Sequence, residues 1–236
     1  MSFLRNEILY HFVGFGSADN DEENFKILCA VLESAQVGKP SMQQIQIVID
    51  PSREPCKGEL LQQSITCYCD IPFVDLSFHA KKYGRFGVGL DRKALSAYGA
   101  RPVSYVPVVD SWPAGSAGGF FLKDQWSLLQ GVHEYFMSEG DGVTKSRRMG
   151  EKPQSKGETV DRLKAVFTKD FLAFLKFYNA DLSVDHVDYY YAEREWRKFG
   201  PFPLSVGLKE IIVAPGYADC IRERFPHWEA LTRELN

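Results

Sequence analysis

Apolar positions recur along this chain in two different periods, and the switches between them predict a mixed α and β architecture. Ile8 to Gly14 is a short apolar run closed by glycine, the pattern of a buried strand, with His11 inside it. A polar, acidic turn follows, in which Asp19, Asn20 or Asp21 can cap a helix. Phe25, Leu28, Cys29, Val31 and Leu32 then return at helical spacing and predict a helix from about Glu22 to Ser34. Ile45 to Ile49 and Ile65 to Cys69 read as strands, the second ended by Asp70-Ile71-Pro72. A helix carrying Ser77, Phe78, His79, Lys81 and Lys82 comes next. Tyr83 to Leu90 combines a turn with a strand, Arg92 to Tyr98 reads as a short helix, and Pro102 to Val109 as a strand bounded by proline.

The second half begins with a Gly, Ser, Ala and Pro-rich loop from Asp110 to Phe120 and a helical pattern over Trp126 to Met137. Residues 138–159 are polar, basic and poor in large apolar side chains, as expected of a mobile insertion. Val160 to Tyr178 restores an amphipathic helical pattern. Gly207 to Pro215 reads as a strand, Tyr217 to Phe225 as a helix, and Trp228 to Leu235 as a closing helical turn or two. Neither an internal repeat nor a linker between two cores is apparent. The pattern therefore predicts a single α+β domain over residues 1–236, with the insertion at 138–159.

The stretch Tyr189 to Arg197 concentrates the chemistry. Its aromatic first half favours a strand, on which Tyr189, Tyr191, Glu193, Glu195 and Arg197 point one way. Two carboxylates two residues apart on one face repel each other and resist burial, so they call for a cleft, a counter-ion or a ligand. A solvated edge strand laced with surface ion pairs accounts for the same pattern.

Composition narrows the options. The chain has 236 residues, 44% hydrophobic and 25% charged, with a net charge of -3 and a pI near 6.0. Proteins that grip long nucleic acid through its phosphates carry a basic excess, which is absent overall. A local patch of Lys145, Arg147, Arg148, Lys152 and Lys156 is read first as a solvated loop. The five cysteines are an odd number and follow no signal-like N-terminus, so reduced thiols and a cytoplasmic location are expected. No apolar run approaches the roughly 18 residues of a membrane span.

Phosphate loops, the dinucleotide glycine fingerprint, the Gly-x-Ser-x-Gly elbow and His-Glu-x-x-His are all missing. Cys67 and Cys69, even with Asp70 and His79, lack the spacing of a zinc site, so no metal is expected. Taken alone, His11 reads as a core histidine and Tyr83 as a ring packed at a turn.

Several segments carry a family likeness. Cys67 to Pro72, His79, Lys82 to Leu90, Pro102 to Tyr105, Tyr191 to Arg197 and Ile211 to Val213 together resemble the AbiGi-type abortive-infection family of bacterial phage-defence proteins, a name attached to an antitoxin role. The opening Tyr10-His11, Glu195-Trp196 and the strand Lys209 to Val213 also look like ADP-ribosyltransferase toxins that modify nucleic acid. The order His11, Tyr83, Glu195 is similar to the His-Tyr-Glu arrangement of that superfamily. This second likeness implies an ADP-ribosyltransferase-like split mixed sheet flanked by helices, with NAD as substrate.

In such a site Glu195 would stabilise the oxocarbenium-like charge, and Glu193 would orient or deprotonate the acceptor. His11 would bind ribose, Tyr83 would stack on nicotinamide, and Arg85 would pair with pyrophosphate. The expectation is thus an NAD-dependent mono-ADP-ribosyltransferase toxin of a phage-defence module. Its acceptor would be RNA or DNA, with protein as the competing acceptor. A cognate antitoxin would contact it, with Phe120, Phe121 and Leu122 as one such surface. The alternative is a non-catalytic antitoxin or protein-interaction module.

Overall fold

In the computed structural model, residues 7–38, 65–108, 171–184, 186 and 189–236 are described. The chain divides into two compact units: Met1–Gln44 with Ser64–Val103 and Val184–Asn236, and Ile45–Gln63 with Ser104–Ser183.

The first unit is built on β1 (Ile8–Phe12), which pairs antiparallel with both β3 (Ile65–Cys69) and β4 (Gly87–Asp91). Beyond β3 lie β8 (Glu195–Phe199) and the two-residue β5 (Arg101–Pro102), both antiparallel to their neighbours. Beyond β4 lie β10 (Leu208–Val213), antiparallel, and β11 (Thr232–Glu234), parallel to β10. Among the described residues these make a seven-stranded mixed sheet in the order β11-β10-β4-β1-β3-β8-β5. A small second pairing joins β2 (Gln36–Val37) to β9 (Phe202–Pro203).

Helices cover both faces, because alternate strand residues are apolar on both sides. On one face α1 (Asp21–Ser34) and α5 (Ala218–Arg224) pack with Leu9, Tyr68, Val88, Leu90, Ile211 and Val213. On the other, α2 (Leu76–Tyr83) lays Leu76 and Ala80 against Tyr10, Phe12, Cys69 and Ile212. The short α3 (Arg92–Ala97) and α4 (Leu204–Gly207) close the α1 side. Helix α1 starts where the sequence calls for it: the Asn20 side chain accepts from the Glu23 N–H, and Asp21, Glu22 and Glu23 face the positive end of the helix dipole. On β8, buried Lys198 turns its ammonium onto the carbonyls of Phe199, Gly200 and Pro201 at 2.9, 3.1 and 2.9 Å. Burial lowers its pKa.

Of the second unit, the described part is a parallel pair, β6 (Ser104–Val108) with β7 (Leu175–Asn179), in register from Ser104 opposite Leu175 to Val108 opposite Asn179. Ala173, Phe174, Leu175 and Phe177 are buried there.

The architecture is α+β, as the pattern predicts, and a large mixed sheet flanked by helices, as the resemblance implies. Three local expectations are corrected. Of the predicted helix over 160–178, the described residues 175–178 lie in strand β7, since Leu175 and Phe177 fit a period of two as well as one near 3.6, and residues 160–170 lie outside the described residues. The strand expected from Tyr189 begins only at Glu195, after a 3-10 turn over Tyr190–Glu193. The closing helical turn, Pro226–Leu231, gives way to β11, which adds an edge to the sheet. The expected strand at 45–49, helix at 126–137, insertion at 138–159, basic patch and Phe120–Leu122 surface lie outside the described residues.

The tightest junction is at Gly14, whose N–H donates to the Tyr83 carbonyl at 2.9 Å. A Cβ at this position would stand 2.4 Å from that carbonyl oxygen and 2.8 Å from Asn24 Nδ2. Gly14→Ala should therefore destabilise the protein by about 1–3 kcal/mol through overpacking, read as a lower urea midpoint with unchanged m-value. An unshifted midpoint would mean that the β1–α1 turn yields more easily than this packing implies.

Candidate functional site

Three of the candidate residues, Glu193, Glu195 and Tyr83, fall where β8, β3 and helix α2 meet. Register decides which side chains can see each other. Tyr10 pairs with Cys69, and Cys69 with Glu195, so these three share the face covered by α2. Glu195 is 4% exposed, and its Oε1 accepts from Arg197 Nε, two residues along the same strand, at 2.6 Å.

Glu193 reaches the same side by a different route. It closes the 3-10 turn Tyr190–Glu193, and Arg194 follows in the left-handed region with φ 43°. That reversal is fastened by the Asp70 N–H donating to the Arg194 carbonyl at 3.3 Å. Glu193 Oε1 then accepts from the Tyr83 hydroxyl at 2.8 Å and from Lys82 Nζ at 3.4 Å. The Lys82 ammonium also lies 3.9 Å from the Tyr190 ring centroid, a cation–π contact. One helical turn back, His79 stacks on Tyr83 at 4.4 Å between centroids, and Phe12 lies 5.2 Å from His79.

The electrostatics follow from burial. Burial first, then Glu193, pushes the Tyr83 hydroxyl far above the usual tyrosine range, so it stays a donor. Burial and then the carboxylate of Glu193 likewise raise the Cys69 thiol, which is inert as a nucleophile. Burial and the Lys82 ammonium push His79 down to about 3, with Glu195 opposing them, so the ring is neutral at pH 7.

His11 and Arg85 do not join this group. His11 follows Tyr10 on β1 and so faces the other side of the sheet, opposite Val88 and 5.8 Å from the Tyr68 ring. Its Nδ1 bonds the Cys67 carbonyl at 2.9 Å, and burial lowers its pKa. Arg85 pairs with Asp21 at the start of α1, at 2.5 Å. The expected site, with Glu195 and the His11 imidazole facing one NAD molecule, is therefore not formed: the strand pairing puts the two groups on opposite faces of the sheet. What the structure assembles is Glu193 with Tyr83 and Lys82, and Glu195 with Arg197. A carboxylate already holding a phenol and an ammonium is a poor base for an incoming proton. The sequence reading gave Lys82 and His79 no part in this cluster, although their neighbour Tyr83 and the His79–Tyr83 spacing of four on a helix were signals of a shared face.

Among the described residues no group of three or more His, Cys, Asp or Glu could hold a metal ion, and Cys29, Cys69 and Cys220 are free thiols. No described helix is long and apolar enough to cross a membrane.

Two measurements probe this cluster. Removing one partner of a buried ion pair leaves the other uncompensated, so Arg197→Met should cost about 3–5 kcal/mol, and adding Glu195→Leu should restore most of it. Chemical unfolding of the single and double variants gives the comparison; additive losses would refute the pairing. The second concerns pH. His79 has a folded pKa of about 3, far below its ordinary value, so the unfolded chain takes up the proton first and stability falls as pH drops through that window. The slope is at most about 1.4 kcal/mol per pH unit for this half-buried ring. His79→Phe should flatten the pH dependence, with the part owed to His11 remaining; an unchanged profile would assign the titration elsewhere.

A family model described as abortive phage resistance protein AbiGi, antitoxin, matches residues 59–214. Neither a curated protein nor a solved structure matches the chain. The antitoxin description overturns the expected reading as a toxin effector with ADP-ribosyltransferase activity, and the separation of His11 from Glu195 gives that correction a physical basis. With the match spanning about two thirds of its length, the chain belongs to the AbiGi family of abortive phage resistance proteins.

Proposed function

We propose that this protein is the antitoxin of an abortive-infection toxin–antitoxin module and acts without catalysis, by binding its cognate toxin. The observation that carries the reading is the family match over residues 59–214. The geometry supports it: Glu193 and Glu195 are each engaged by donors of this same chain. Neutralisation by binding requires a rigid folded surface and neither NAD nor a nucleic-acid acceptor.

Expressed alone, the protein should leave bacterial growth unchanged. Expressed with the toxin co-transcribed with it, it should restore growth of cells that the toxin alone arrests. Glu193→Gln, which keeps an acceptor for Tyr83, should protect as well as the wild type, since no proton transfer is involved. Arrest of growth by this chain alone, relieved by Glu193→Gln, would reverse the assignment.

A further inference from the structure

Between β1 and α1 the chain makes a corner whose backbone is held on every side. Gly14 N–H donates to Tyr83 O, Ser17 N–H to Gly14 O at 3.0 Å and Asn20 N–H to Ser17 O at 2.9 Å. From beneath, fully buried Asn24 donates through Nδ2 to the Ser17 carbonyl at 2.8 Å and accepts at Oδ1 from the Ser17 hydroxyl at 2.9 Å. Gly84, with φ 77°, lets the α2 end close on this corner, where a Cβ would stand 2.8 Å from Asn24 Nδ2.

This fixed corner holds Phe15 out in water. The residue is 77% exposed, and its ring stacks at 5.8 Å on Tyr83, which leaves most of it uncovered. A phenyl ring this exposed gains the fold little beyond that one stack. In an interface it is the kind of side chain that anchors binding, and its ordering cost is already met. The segment that follows it in the corner is acidic. Asp19 and Glu23 are exposed and make no ion pair among the described residues, while Asp21 is matched by Arg85 and Glu22 by Lys26. First-turn acids also serve the helix dipole, but that accounts for neither Asp19 nor Phe15. Among the described residues Val74 at 82% and Val184 at 64% are also exposed, and neither lies on this hydrogen-bonded corner.

We infer that the Phe15–Glu23 corner is the surface that docks the toxin, with Phe15 entering an apolar pocket whose rim is basic. The inference rests on the antitoxin reading and adds to it the contact surface and the charge of the partner's face. Acid against base at the rim would raise the association rate and make binding weaken with salt.

The test uses the full chain and the co-transcribed toxin, with affinity measured by calorimetry at two salt concentrations and growth rescue in parallel. Phe15→Ala should weaken binding about 30-fold or more. Asp19→Lys should weaken it and flatten the salt dependence, while Val206→Ala, at an exposed site elsewhere, should bind as wild type. Unfolding midpoints check that each variant is folded; if Phe15→Ala loosens the fold, Asp19→Lys decides. Full affinity in both variants, with the wild type rescuing growth, would overturn this corner and leave the antitoxin reading standing. A wild type that neither binds nor rescues would sink that reading and this inference with it. A wild-type dimer dissolved by Phe15→Ala would overturn the inference in favour of a second copy as occupant.

Discussion

Two buried carboxylates close in sequence can share an apolar interior only if each meets its own donors, and the first unit is arranged around that requirement. Glu195 finds Arg197 on its own strand. Glu193 is directed elsewhere: the left-handed residue Arg194 between them turns its carboxylate to Tyr83 and Lys82. That second meeting ties helix α2 to the strand pair β3–β8. A shift of the helix by one residue would strand the Glu193 charge, so register is enforced electrostatically as well as by Leu76 and Ala80 in the apolar layer beneath. Such a pair is costly to break, though apolar residues of equal volume would hold the fold as well. Its value lies in specifying one arrangement of helix on sheet.

How far this was legible in the sequence varies with the kind of signal. Elements carried by a single strong period stand where the pattern put them: β1, α1, capped by one of its three candidates, β3, β4, β10 and α5. The acidic pair and its need for partners were also visible, because two carboxylates in an apolar stretch always pose that question. What could not be read was the partner set. The sequence reads Tyr189 to Arg197 as one strand, since nothing in a Tyr-Tyr-Tyr-Ala-Glu-Arg run announces a 3-10 turn and a positive φ at arginine; tertiary contacts impose it. The run 160–178 misled for a different reason, as phenylalanine and leucine at mixed intervals satisfy both periods.

The misjudged pocket shows a more general hazard. The order His11, Tyr83, Glu195 is a one-dimensional resemblance, while a catalytic site is a statement about faces. On a strand one residue of offset reverses the side, and His11 differs from Tyr10, the residue that faces Cys69 and Glu195, by that single step. No composition or spacing argument distinguishes the two cases, because the deciding fact is the pairing of β1 with a strand more than fifty residues away.

These placements bear on how such a chain can act on a partner. Its strongest polar groups near α2 are turned inward, onto one another, and are therefore unavailable to recognise anything outside. On the proposed reading, recognition falls to what is left in water and is costly to leave there, such as Phe15. Charged groups on the same corner steer an encounter but add little to its strength when solvated. An apolar anchor set in an acidic rim divides the work accordingly: the ring supplies the residence time, and the carboxylates supply the approach and the discrimination between partner surfaces of different sign.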